Sequence, residues 1–269
     1  MDEKNKGTLV IIGGAEDKKG NCSILKKVAE LSDLKEGKII ILTAATEYPS
    51  KVGKEYKSLF SKLNVKNIDA VHIETREDAN DIERLQRIES ASCVFFTGGD
   101  QLKITSLIGG TKTERILKEA FSNGMVIAGT SAGASAMSET MITSGNDDDT
   151  PKKCTLKMAP GLGLLNGVVI DQHFAQRGRI GRLLAAIAQN PNVLGVGIDE
   201  DTAIIVKSDN TFEVIGSNAV TVIDGINCSF TNVSESMPDN ILALTNIALH
   251  ILPEGYHYNI HDREPLIRR

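Results

Sequence analysis

The chain has 269 residues, of which 41% are hydrophobic and 24% charged, with a formal net charge of −5. That length is enough to bury a sizeable core, and the composition is that of an ordinary globular protein. Mild acidity without a long basic block leaves no signature of a nucleic-acid partner or a membrane surface, and no apolar run approaches the ~20 residues that span a bilayer.

Short apolar runs alternate with helical spacing through the first half. Thr8-Leu9-Val10-Ile11-Ile12 reads as a buried strand ending at Gly13-Gly14, and residues 21–33 carry Ile24, Leu25, Val28 and Leu31 at helical intervals. Lys38 to Thr43 is a second strand, followed by a helix over residues 49–63. Asn67 to Ile73 is a third strand, and residues 78–89 form a charged helix. Ser92-Cys93-Val94-Phe95-Phe96 is a fourth strand, ending at Thr97-Gly98-Gly99, with helices near residues 101–108 and 113–123. Met125-Val126-Ile127-Ala128 is the fifth, with a helix expected straight after Ser131.

The second half is less regular. Residues 146–149 and Pro151 make a polar loop, Val168-Val169-Ile170 is a strand, and residues 179–189 form an amphipathic helix. Residues 192–197 lead into Asp199-Glu200-Asp201; 203–206 and 211–215 read as a β-hairpin, and 219–223 as a further strand. There is no Pro- or Ser-rich linker and no internal repeat, so a single α/β domain over residues 1–269 is expected. Continuous apolar strands alternating with helices imply a mostly parallel sheet covered on both faces. Sites in such sheets lie beyond the carboxyl ends of the strands, where Gly13-Gly14, Ala44-Ala45, Gly98-Gly99 and Ser131 all fall.

Gly129-Thr130-Ser131-Ala132-Gly133 reads G-x-S-x-G between a strand and a helix, the setting of a nucleophile elbow. A serine nucleophile needs a base and a group that orients the base. Of the five histidines, His250, His257 and His261 lie toward the C-terminus and His72 lies inside a strand. His173, just past a strand end, is the base by elimination. The orienting acid is left open between Asp171 and the carboxylates of Asp199-Glu200-Asp201. An oxyanion hole needs backbone N–H groups; Ala132 N–H is one candidate and the Gly98-Gly99-Asp100 turn, at Gly99, the other. Gly13-Gly14 is either a further donor or a tight turn, and it does not match G-x-G-x-x-G. Arg179 and Arg182 lie three apart, on one face of a helix, as forks for an acidic group.

Cys22, Cys93, Cys154 and Cys228 are far apart with no C-x-x-C pair, so free thiols in a reducing compartment are expected rather than zinc or disulfides. Residues 1–6 precede no signal-type apolar region, and a cytoplasmic location is expected.

The segments Gly13-Gly14-Ala15-Glu16-Asp17, Thr97-Gly98-Gly99-Asp100-Gln101, Gly129 to Ala134, Asp171-Gln172-His173-Phe174 and Gly197-Ile198-Asp199-Glu200, with Arg177, Arg179 and Arg182, resemble the cyanophycinase family from about residue 7 to about residue 250. The resemblance implies a three-layer α/β sandwich related to class I glutamine amidotransferases, which the hairpin over residues 203–215 is expected to extend in the C-terminal half. It implies hydrolysis of cyanophycin, a polyaspartate bearing arginine on each β-carboxyl, to β-Asp-Arg dipeptides, without metal or cofactor. By matching position it implies Ser131 as nucleophile, His173 as base and Glu200 as orienting acid. Gln101, Asp171, Gln172, Arg177, Arg179 and Arg182 are then expected to line the substrate pocket, and the chain to form a homodimer. The competing readings are an aspartyl dipeptidase or isopeptidase of the same fold, and a non-catalytic protein that binds Asp- or Arg-rich ligands.

Overall fold

The computed structural model describes residues 6–147 and 149–266; Asp148, in the polar loop read from the sequence, lies outside them. The first half runs β1 (Leu9–Ile12), α1 (Ser23–Leu31), β2 (Lys38–Leu42), α2 (Pro49–Lys62), β3 (Asn67–Val71), α3 (Ile82–Glu89), β4 (Cys93–Phe96), α4 (Gln101–Ile108), α5 (Lys112–Ser122), β5 (Val126–Thr130) and α6 (Ala132–Ser135). The charged helix expected over residues 78–89 is broken: Asp78–Asn80 is a 3₁₀ turn, and Asp81 then caps α3 by accepting from the Arg84 N–H at 3.0 Å. The helix after Ser131 spans four residues only.

A hairpin of β6 (Thr140–Gly145) and β7 (Leu156–Pro160) follows, unforeseen in the sequence because its residues are mostly polar or half-buried. Then come β8 (Val168–Gln172), α7 (Ile180–Gln189), β9 (Leu194–Ile198), β10 (Thr202–Val206), β11 (Thr211–Gly216) and β12 (Ala219–Asp224). The chain continues through β13 (Phe230–Thr231), β14 (Leu244–Thr245), β15 (Ala248–Pro253), β16 (His257–Asn259) and β17 (Glu264–Leu266).

The large sheet has the order β17-β16-β11-β10-β1-β5-β4-β2-β3. From β1 to β3 every pairing is parallel, and β10, β11, β16 and β17 extend it antiparallel from the β1 side. The β10–β11 hairpin is the one read from the sequence. Side-chain alternation along the strands builds two apolar layers. Val10, Ile12, Ile39, Ile41, Cys93, Phe95 and Ala128 pack with Ile24, Leu25 and Val28 of α1 and Tyr56 and Phe60 of α2. Leu9, Ile11, Ile40, Leu42, Val94, Phe96 and Ile127 face the other way, against Ile88, Ile104, Ile108 and Leu117 of α3 to α5.

A second sheet, β15-β12-β9-β8, stands apart from the first. It shares that second apolar layer through Ile170, Val196, Ile198 and Val222, while Val169 and Ile223 face α7 at Leu183 and Ile187. Because β8 and β9 are parallel, with Gln172 opposite Ile198, their carboxyl ends open side by side. His173 and Glu200 leave from those ends.

Candidate active site

Ser131 sits between β5 and α6 at φ 53°, ψ −109°. L-residues visit this region sparsely, at a cost of about 1–3 kcal/mol that the surroundings must hold in place. Three things do so. The Ser131 N–H donates to Ile12 O at 3.0 Å. The Ser135 N–H donates to Ser131 O at 3.0 Å. Gly133, the last residue of the motif, lets α6 close onto β4, because a Cβ there would stand 2.7 Å from Phe96 O.

The serine hydroxyl lies 3.0 Å from His173 Nε2, and His173 Nδ1 lies 2.6 Å from Glu200 Oε1. A carboxylate can only accept, so Nδ1–H donates to Glu200 and the Nε2 lone pair accepts from Ser131. His173 itself has φ 49°, and its N–H donates to Gly13 O at 2.8 Å. Gly14, at φ 98°, must be glycine: a Cβ would lie 2.4 Å from His173 Cε1. The Asp201 N–H donates to Gly14 O at 2.9 Å, anchoring the residue after Glu200. Ile12-Gly13-Gly14 is thus the stretch that ties the serine, histidine and glutamate segments together, through one carbonyl each. Burial holds the His173 imidazole below its ordinary pKa; the Glu200 hydrogen bond opposes this, and the Arg177 charge adds to it.

The carboxylates left open in the sequence separate by their partners. Asp199 accepts from the Ala175 N–H at 2.9 Å. Asp201 accepts from the Asp17 N–H at 2.8 Å and the Ser217 hydroxyl at 2.5 Å. Asp171 is buried and bound by Arg182 through both oxygens, with Nε to Oδ2 at 2.6 Å and Nη2 to Oδ1. Glu200 alone reaches the imidazole, with its backbone fixed by Gln176 Oε1, which accepts from the Glu200 N–H at 2.9 Å.

The two amides proposed for an oxyanion hole stand at neighbouring strand ends. A Cβ on Gly98 would sit 3.5 Å from Ser131 Cβ, so the Gly98-Gly99 turn borders the serine. Among the described residues, neither the Gly99 nor the Ala132 N–H donates to a backbone acceptor.

The residues expected to line a pocket divide into two groups. Gln172 Oε1 lies 3.3 Å from Ser131 Oγ, and Arg177 is exposed in the 3₁₀ turn beyond His173. Arg179 and Arg182 are buried. Arg179 donates to Gln172 O at 2.6 Å and to Asp147 Oδ1 at 2.8 Å, and Arg182 also reaches Asp147 at 3.2 Å. These contacts hold the chain that carries His173, and the acidic groups that the two arginine forks meet here are Asp171 and Asp147 of the chain itself. Gln101 likewise donates to Ile142 O at 2.9 Å, tying α4 to β6. Spacing along a helix shows which residues share a face but not whether that face meets solvent or a buried carboxylate.

All four cysteines are unpaired, and burial pushes the Cys93 thiol up to about 12. Among the described residues no group of His, Cys, Asp and Glu is arranged to hold a metal ion, and no helix is long and apolar enough to cross a membrane.

Comparison with known proteins bears on the same elements. The sequence pattern of Peptidase family S51 matches residues 9–215. A cyanophycinase of Geminocystis herdmanii is 36% identical over 267 residues, covering 99% of this chain and 98% of its own. A cyanophycinase of Trichormus variabilis is 34% identical, covering 98% and 89%. A crystal structure of a peptidase from an acI-B1 actinobacterium superposes with a TM-score of 0.71 at 18% identity, covering 94% of this chain and 97% of that one, which shows a shared fold. The chain is a serine-type peptidase and belongs to peptidase family S51.

Proposed function

We propose that this peptidase hydrolyses cyanophycin to β-Asp-Arg dipeptides, with Ser131 as nucleophile, His173 as base and Glu200 as the acid that orients it. The observation that carries the reading is the continuous line Ser131 Oγ–His173 Nε2 at 3.0 Å and His173 Nδ1–Glu200 Oε1 at 2.6 Å. Hydrogen-bond reach from nucleophile to base and from base to acid is what such chemistry requires. The substrate comes from relatives named cyanophycinase that match nearly the whole chain.

In this reading Ser131 Oγ attacks an aspartyl peptide carbonyl as its proton passes to His173 Nε2. The oxyanion takes hydrogen bonds from the Ala132 and Gly99 amides, whose loss, one at a time, costs about 10²–10³ in turnover. Collapse breaks the C–N bond, and the same proton goes from Nε2 to the leaving amine. Water then attacks the ester carbonyl, giving a proton to Nε2; collapse breaks the bond from the acyl carbon to Ser131 Oγ, which takes that proton back as the carboxylic acid product leaves. Gln172, beside the serine, and the exposed Arg177 guanidinium are the side chains best placed to meet an aspartyl substrate, whose carboxylates suit an arginine fork. Buried Asp171, Arg179 and Arg182, with the Gln101 tether, position the walls. Nothing in this scheme calls on a metal or cofactor.

Mass spectrometry of the products after incubation with cyanophycin tests the proposal. β-Asp-Arg is the expected product. Intact polymer together with cleaved Asp-X dipeptides would transfer the site to an aspartyl dipeptidase. No hydrolysis of either would overturn the proposed substrate.

A further inference from the structure

The turn after β1 carries one buried acid that the triad does not use. The Glu16 side chain is 2% exposed. Its Oε2 accepts from the Thr130 hydroxyl at 2.5 Å, and its Oε1 accepts from the Tyr56 hydroxyl. Lys18 Nζ stands 3.8 Å from Oε1 and 4.4 Å from the centre of the Tyr56 ring, closing the solvent side. Thr130 is the residue before Ser131. Tyr56 comes from α2 in the outer layer, where its ring packs on Phe95 at 4.8 Å between centroids.

We propose that Glu16 is a positioning residue for the nucleophile: its carboxylate grips Thr130 and so fixes the strained turn that aims the Ser131 hydroxyl at His173. The proposal rests on the reading of Ser131 as the nucleophile. A buried carboxylate is costly, and an apolar side chain of similar volume commonly stabilises such a place as well or better. What an apolar residue lacks is direction. Glu16 ties hydroxyls from two different elements to two fixed oxygens, one of them on the residue whose peptide bond leads into Ser131. Burial and the nearby Glu16 charge raise the Tyr56 hydroxyl well above its usual value, so it remains a donor that keeps the carboxylate from turning. The same turn already holds His173 through Gly13 O and Asp201 through Gly14 O. With Glu16 added, one five-residue segment sets the serine, the histidine and the acid relative to one another. A side-chain hold is needed on the serine because the backbone conformation there is one that the chain does not favour by itself.

The test is the rate at which a fluorophosphonate probe labels Ser131, followed by intact-protein mass spectrometry beside kcat and KM on cyanophycin. The variants are Glu16→Gln, Glu16→Ala, Thr130→Val and the Glu16→Ala/Thr130→Val double. A misplacement near 1 Å costs on the order of 10²-fold. Glu16→Ala and Thr130→Val are therefore expected to slow labelling and kcat by about 10- to 100-fold with KM within about twofold. The double is expected to be no slower than the slower single, since both remove one interaction. Glu16→Gln, which keeps an acceptor for Thr130, is expected to recover most of the rate. Leu25→Ala, a cavity in the same apolar layer, lowers Tm and serves as the control, with labelling of the folded protein unchanged. Thr130→Val leaves Glu16 paired with Tyr56 and decides the matter should Glu16→Ala not fold. Wild-type labelling rates in both singles, a double that multiplies their effects, or an equal slowing by Leu25→Ala would overturn the proposal while leaving the nucleophile in place. Failure of the probe to label the wild-type protein would overturn the nucleophile reading, and this proposal with it.

Discussion

Two clusters of opposite charge flank the same stretch of chain, and they are built for different ends. Glu200, His173 and Ser131 form a line that ends on a serine hydroxyl bordered by the Gly98-Gly99 turn, with the glutamate side chain 36% exposed. Asp171, Arg182 and Arg179 form a closed network in which the carboxylate and both guanidinium groups are buried against protein partners. Both use residues that sequence alone marks as chemical. The difference is exposure: the Glu200 side chain opens to solvent, whereas the Asp171 carboxylate and both guanidinium groups are enclosed. The buried ion pairs fix the chain that carries His173, whereas under the proposed function the half-open line is the one that meets a reacting group.

Substitutions should separate the two. Ser131→Ala should lower turnover by several orders of magnitude with an unchanged unfolding midpoint in urea; near-normal activity would end the comparison at once. Glu200→Gln should cost up to about 10⁴ in kcat, because the imidazole loses the acceptor that selects its tautomer. A loss confined to KM would instead make Glu200 a substrate contact.

Arg182→Ala should behave otherwise. It removes both Arg182 hydrogen bonds to the buried Asp171 charge, leaving only the Arg179 cation at 3.6 Å, and should cost up to about 3–5 kcal/mol of folding stability, seen as a lower midpoint. Turnover should fall with it, since Asp171 and Gln172 lead directly into His173. Arg182→Met with Asp171→Leu should recover much of the stability. If Arg182→Ala lost turnover at unchanged stability, the arginine would be a substrate ligand and the two clusters would not differ as described.

The smallest expected effect concerns pH. Burial holds the His173 imidazole below its ordinary 6.5, so the neutral base persists to lower pH and the acid limb of kcat/KM should fall below that value. The Arg177 charge contributes to the depression. Arg177→Ala should therefore move the limb toward higher pH, and added salt should move it the same way in the wild type. A shift toward lower pH in either experiment would mean that the titrating group is not this histidine.

The same contrast explains what the sequence disclosed. Strands such as Val10-Ile11-Ile12 and Val94-Phe95-Phe96 are apolar on both faces, so their burial and parallel pairing were legible, and with them the meeting of Gly98 and Ser131 at neighbouring strand ends. Period and polarity carry no information on which sheet a strand joins, so the transfer of β8 and β9 to a second sheet was not legible. Asp199, Glu200 and Asp201 are interchangeable by composition and differ only in what faces them: two backbone amides, an imidazole, and an amide with a hydroxyl. Arg182 lies in α7 and Arg179 at its N-terminal cap, but Asp147, the exposed carboxylate that both reach, lies over thirty residues away. Glu16 stood within a recognised motif, yet its partners Tyr56 and Thr130 are 40 and 114 residues distant, beyond any local pattern.

The most direct test of the whole account is to map the residue modified by a fluorophosphonate by peptide mass spectrometry while following cyanophycin hydrolysis in the same sample. The account predicts one modified residue, Ser131, with activity lost in proportion to its occupancy. Full hydrolysis by protein completely modified at Ser131, or activity lost through modification elsewhere, would contradict it.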